Sequence, residues 1–335
     1  MESMLERVRK PAHDKRAANL LASLTLALLL SPALASGQGV ARDALAMFPA
    51  DTQQLAYLNL AQFRGMAEYP QIRRYLLTSQ LRDFQEFLRS VGVDPEKDVD
   101  EIVLGWRGES GGGAGFYGRA EGRFDLDRVQ QLFTKQRLPV REYQGQQLYA
   151  FGSGTSPMDT FFAFLSPSSA AFGRLADLKD LLDVRARAKP ALDSNSKFVD
   201  WEAELEGTAP QWGISTGKAA ANQVAPWIVG RGGRNIDPGT ILGPVQAFLY
   251  RLEWAGGITA NLSIVCQTAE SAKAFATLLT LWRDSRPAEA TPTNLGLMLQ
   301  SLQVHTDGAR VELTAIGPIE TFDQILRGPT GSGAQ

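Results

Sequence analysis

Cys266 is the only cysteine in the chain, so no disulfide can close within it and apolar packing has to hold the fold. The N-terminal segment sharpens that constraint, because it reads as an export signal into an oxidising compartment. Arg7, Arg9, Lys10, Lys15 and Arg16 form a basic leader and residues 20–30 an apolar core. Pro32 and Ala33-Leu34-Ala35 then supply a helix break and a small-x-small cleavage site. A spanning helix needs about 20 apolar residues, and this run is shorter and broken at Pro32. Cleavage is therefore expected after Ala35, leaving a periplasmic or secreted protein of bacterial type without a stable membrane span. No cysteine stands at the cleavage point to carry a lipid, and Lys15-Arg16 is not a twin arginine. Cys266 itself ends the apolar run 258–265 and is expected to be a buried, inert thiol.

Beyond the leader, 29 basic and 33 acidic residues remain, a net charge of −4. Such a mixed, mildly acidic surface has no general attraction for nucleic acid or anionic membrane. About 300 residues can bury a sizeable core in one or two domains. Hydrophobic periodicity predicts an α+β fold, with largely antiparallel sheets and helices packed on them. Strands are expected over 54–60, 102–106, 114–121, 138–143, 147–151, 161–165, 169–172, 245–254, 258–266, 302–305 and 310–315. Helices are expected over 71–91, 125–136, 174–188, 197–205, 269–283 and 319–326. Thr306-Asp307-Gly308 carries the Asp-Gly signal of a tight hairpin.

The expected division is a signal over 1–35, a linker over 36–47 and an N-terminal α+β lobe over 48–212. A Gly/Pro/Ala-rich connecting segment follows over 213–243, then a C-terminal α+β lobe over 244–327 and a disordered tail over 328–335. Strand 114–121, helix 125–136 and hairpin 138–151 match strand 258–266, helix 269–283 and hairpin 302–315 in pattern. The match suits two similar lobes from a diverged duplication, or the chance recurrence of a unit common in α+β folds.

The inventory for catalysis is sparse. His13 leaves with the leader, and His305 lies near a hairpin tip and is expected to be an exposed strand residue. A Ser-His-Asp triad and a His/Cys zinc site both lack partners. No catalytic residue, metal or cofactor is assigned. The acidic run 94–101 lacks the glycine and distal glutamate of a calcium loop and reads as a solvated helix start. Glu202, Glu204 and Glu206 are spread around a helix. The glycines of 108–115 lack the lysine of a phosphate loop. Two features point instead to binding. Arg231 and Arg234, set among glycines, could clamp a carboxylate or phosphate. Trp212 and Trp227, with Trp201, could face a sugar or an extended peptide, although core packing is their ordinary use.

Pro49-Ala50-Asp51-Thr52, with Phe48 ahead of it and a strand behind, resembles the start of the mature domain in a loose group of uncharacterised exported bacterial proteins. There the segment is Leu-Pro-Ala-Asp-Thr-like, and the likeness of pattern runs over roughly residues 44–327. The resemblance implies export and carries over no catalytic residue. The expected function is that of an exported, non-enzymatic binding or envelope-associated protein for an unknown protein or envelope ligand, with Arg231, Arg234, Trp212 and Trp227 as ligand-binding residues. The alternative is a carboxylate-dependent hydrolase of an envelope polymer. Mass spectrometry of the protein recovered from its host is expected to find Ser36 as the mature terminus; a retained leader would overturn the cleavage site.

Overall fold

The computed structural model describes residues 37–76, 79–108, 116–229, 243–284 and 294–321. Helix α1 (Gly37–Leu45) leads into β1 (Thr52–Asn59). Helices α2 (Leu60–Arg64), α3 (Tyr69–Leu76), α4 (Ser79–Ser90) and α5 (Pro95–Asp98) separate it from the pair β2 (Val99–Arg107) and β3 (Phe116–Gly122). After α6 (Leu126–Gln136) come two hairpins, β4 (Val140–Tyr143) with β5 (Gln146–Phe151), and β6 (Thr160–Ser166) with β7 (Ser169–Arg174). Helix α7 (Leu175–Arg185), a 3-10 turn at Leu192–Ser194 and α8 (Ser196–Leu205) return the chain to β8 (Gln211–Thr216). The remainder runs α9 (Gly217–Val229), β9 (Val245–Glu253), β10 (Ile258–Cys266), α10 (Ala269–Asp284), α11 (Asn294–Gln300), β11 (Gln303–Asp307) and β12 (Arg310–Gly317).

Among the described residues the strands join into one twelve-stranded sheet in the order β11-β12-β10-β9-β8-β1-β2-β3-β7-β6-β5-β4. Every neighbouring pair is antiparallel. The α+β class with a largely antiparallel sheet is thus what the protein has. Both halves repeat one element order. Strand, helical segment, two strands, helix and hairpin run from β1 to β5 and again from β8 to β12. They differ in that β12 pairs directly with β10, whereas the hairpin β6–β7 lies between β3 and β5. The halves are joined through β1 and β8 into a continuous sheet, and the described residues belong to one compact unit.

Side chains alternate between the faces. One face carries Leu55, Tyr57, Val103, Tyr117, Trp212, Ile214 and Leu249, and α1, α7 and α8 pack on it. On the other face, Val129 and Phe133 of α6 meet Tyr149 and Phe162, with α4 supplying Phe87. Farther along, Phe275 and Leu279 of α10 cover Ile264, Val311 and Leu313. Cys266 is buried there, as its apolar context predicts. Local chemistry fits the elements. Asp125 caps α6 by accepting from the Arg128 N–H at 3.0 Å. Gln144 and Gly145, both at positive φ, turn β4 into β5. At Gly105, a Cβ would lie 2.5 Å from the Tyr117 ring, which leans over it.

Three expectations change. The linker expected over 36–47 holds α1, whose Val40, Ala41, Ala44 and Leu45 are buried, so it is part of the core. Its length and initial glycines hid the spacing. The connecting segment expected over 213–243 contains most of the central strand β8 and all of α9. Its glycines and alanines let strands and helices approach closely instead of marking a loop. The helix expected over 71–91 is divided between α3 and α4. Most of the final helix and all of the tail lie outside the described residues.

Two carboxyl groups are buried on the α1/α8 side. Glu101 is 4 % exposed and accepts a hydrogen bond from the Tyr57 hydroxyl at 3.1 Å. Burial, above all, lifts its pKa to about 7, with Glu121 and Asp100 adding to it against the Tyr57 bond. Glu202 is fully buried, with Arg42 3.6 Å away and no hydrogen bond to either oxygen among the described residues. Burial and then Glu206 raise it to about 7 against the pull of Arg42. Both folded-state values exceed the ordinary 4.5, so the folded chain holds more protons than the unfolded one between those limits. The stability this contributes is complete below the ordinary carboxylate pKa and is lost as pH rises through about 7. The unfolding free energy measured in urea is therefore expected to fall between about pH 5 and about pH 8, by on the order of 1–3 kcal/mol per group. Glu202→Gln is expected to flatten that fall; an unchanged profile would overturn the assignment.

Candidate functional site

A cleft of about 630 Å³ opens where α1 and the end of α7 meet the sheet. Its walls are brought together by backbone pairing. The Leu192 N–H donates to the Phe48 carbonyl at 2.8 Å, and the Ala50 N–H to the Pro190 carbonyl at 3.1 Å. With the bridge Pro49–Ala191, these bonds tie the chain after α7 to the chain after α1. The end of α7 is closed by Arg187 N–H to the Val184 carbonyl and Ala188 N–H to the Asp183 carbonyl, each 2.8 Å. Arg187 adopts the left-handed conformation, φ +60°, that such a helix end requires. The turn brings both Arg185 and Arg187 to the cleft.

Arg119 of β3 lines the cleft with its side chain 13 % exposed. Its guanidinium reaches Asp43 of α1 at 2.8 Å and Glu121 at 2.5 Å. Lys189 is held by Asp180 at 2.5 Å and Asp183 at 3.0 Å, and hydrogen bonds to these two carboxylates keep its ammonium above its ordinary pKa. Arg185 and Arg187 are exposed and form no ion pair among the described residues. Ser169, the first residue of β7, lies opposite Glu121 in the ladder and lines the cleft. It is 6 % exposed, and its hydroxyl has no hydrogen-bond partner among the described residues. Met47 and Val184 add buried apolar wall, and Leu165 a half-buried side chain.

The arrangement favours an anion. Arg119, Arg185, Arg187 and Lys189 stand against only Asp43 and Asp193 in the lining, although the whole chain carries a net charge of −2. Cations at a helix C-terminus also offset its negative dipole, by about 0.3–1 kcal/mol each. That effect accounts for Arg185 alone and leaves the buried, unpartnered serine unexplained. A buried hydroxyl without a partner costs roughly 1–3 kcal/mol, which a ligand oxygen would offset.

The residues expected from the sequence to bind lie elsewhere. Trp212 is 1 % exposed and stacks on Tyr57 with ring centroids 5.2 Å apart, so it is a core residue with no face for a ligand. β8 runs through the middle of the sheet, which is why its tryptophan is covered. Trp227 belongs to α9; Arg231 and Arg234 lie outside the described residues. Trp201 is buried in α8. His305 is exposed on β11, as expected. The acidic run does begin a helix, with Asp94 capping α5, except that Glu101 turns inward on β2. The two buried acids that a hydrolase would set across a cleft are engaged with Tyr57 and Arg42, and neither lines this one. Sequence reading did not find the cleft. The one local signal is the basic cluster Arg185-Ala186-Arg187-Ala188-Lys189, hidden because residues 174–188 read as an ordinary helix with a solvated end.

No protein family matches the chain, and no curated protein matches it in sequence. Among solved structures, crystal form I of TP0453 is similar with a TM-score of 0.51 at 12 % identity, covering 84 % of this chain and 96 % of that one. Crystal form IV of TP0453 gives 0.48 at 13 % identity over the same shares. At such identity the likeness to crystal form I is one of fold alone.

Proposed function

We propose that the chain is an exported, non-enzymatic binding protein that holds a small anionic ligand in the cleft between α1 and α7. The observation that carries this reading is the buried hydroxyl of Ser169, unpartnered among the described residues, in a cleft whose charged lining residues are mostly basic. The volume falls within the roughly 300–1,000 Å³ of small-molecule sites. Export rests on the basic leader and apolar run ahead of Ala35, and on the resemblance of Pro49-Ala50-Asp51-Thr52 to the start of exported bacterial proteins. No helix of the described residues is long and apolar enough to cross a membrane.

Native mass spectrometry of the protein recovered from its host envelope is expected to show a bound small molecule. The double variant Arg185→Ala with Arg187→Gly is expected to lose it while keeping its unfolding free energy in urea within about 0.5 kcal/mol of the parent, since glycine accepts the left-handed backbone at 187. Equal ligand in parent and variant would remove the cleft from consideration.

A further inference from the structure

We infer that the ligand of the cleft is a phosphate monoester of a small organic alcohol; this rests on the cleft being the binding site. The cations already present divide into two kinds. Arg119 and Lys189 are compensated by Asp43, Glu121, Asp180 and Asp183. Among the described residues Arg185 and Arg187 are not, and they stand two residues apart on a closed helix end. Two guanidinium forks with a serine hydroxyl present more donors than the two oxygens of a carboxylate can use in plane. A phosphate monoester brings three terminal oxygens and a charge of about −1.5 to −2 at neutral pH. Guanidinium forks pair with such oxygens two at a time. The remaining donor is assigned to Ser169, a lining residue on the side of the sheet whose buried hydroxyl has no hydrogen-bond partner among the described residues. The cleft is far larger than a phosphate ion, and Met47, Leu165 and Val184 provide an apolar wall for the carbon portion of the ester.

Isothermal titration calorimetry of the exported chain would use glycerol 3-phosphate, inorganic phosphate, butyrate, and vesicles with and without phosphatidic acid. Glycerol 3-phosphate is expected to bind most tightly. Arg185→Ala with Arg187→Gly is expected to weaken it on the order of tenfold or more, and Ser169→Ala by a smaller factor. Ser169→Ala is also expected to leave the urea midpoint unchanged or raised, because it removes a hydroxyl with no partner; a serine of purely structural use would lower the midpoint and spare affinity. Binding confined to phosphatidic acid vesicles and lost in the double variant would keep the phosphate chemistry and name a lipid headgroup as its source. Equal affinity for inorganic phosphate would overturn the organic portion. Butyrate binding as tightly as the ester, with both lost in the double variant, would overturn the phosphate and leave the cleft standing. No binding by any probe would overturn the phosphate assignment, and a ligand still retained in the envelope-derived parent but lost in the double variant would show that the cleft reading survives it.

Discussion

The pairing of β1 with β8 is the contact on which the rest of the molecule depends. Five residue pairs, from Gln54 opposite Ser215 to Leu58 opposite Gln211, join two runs of antiparallel strands that are otherwise separate. Without this ladder each half would present an open edge of unpaired backbone groups. Tyr57 lies opposite Trp212 in the ladder, and their stacked rings reinforce it from the covered face. The helices of that face converge near the same seam. Trp201 and Leu205 of α8 and Leu45 of α1 belong to the core cluster that contains both rings. A protein without disulfides thus secures its two halves by one central strand pair and the aromatic packing above it.

That covered face also holds the polar groups that packing leaves under tension. Glu101, Glu202 and Ser169 are all buried within reach of α1 and the α7–α8 region, and Glu202 and Ser169 lack hydrogen bonds to their side-chain oxygens. Most buried polar atoms in folded proteins are paired, so such exceptions mark places where an added group or a proton can change the free energy. For Glu101 and Glu202 the added group is a proton. For Ser169, at the edge of the cleft, it is the ligand oxygen proposed above.

Regular elements with strong periodicity were legible in the sequence. Helix α6, with Val129 and Phe133 on one face, and α10, with Phe275 and Leu279, follow directly from apolar spacing. So does the hairpin at Asp307-Gly308, where Gly308 takes a positive φ. Elements of small residues were not. β8 carries Gly213 beneath the Tyr250 ring, and α1 begins with glycine and buries Ala41 and Ala44 beside Val40 and Leu45. In both, the small side chain is an adaptation to a neighbour, and the neighbour is distant in sequence.

Sequence alone determined the apolar periodicity, the α+β class and the absence of any internal disulfide, because these follow from residue type and local spacing. Only the tertiary structure decided which polar residues meet. Asp43, Arg119, Ser169, Arg185, Arg187 and Lys189 come from α1, two strands and the end of a helix, and no short motif contains them. Their convergence depends on the backbone bonds between residues 48–50 and 190–192 and on the left-handed turn at Arg187. Burial likewise separated Glu101 from the solvated acids beside it, since alternation along β2 turns that one carboxylate inward. Charge can be read from a sequence; the solvent and partners that give it chemical meaning are set by the fold.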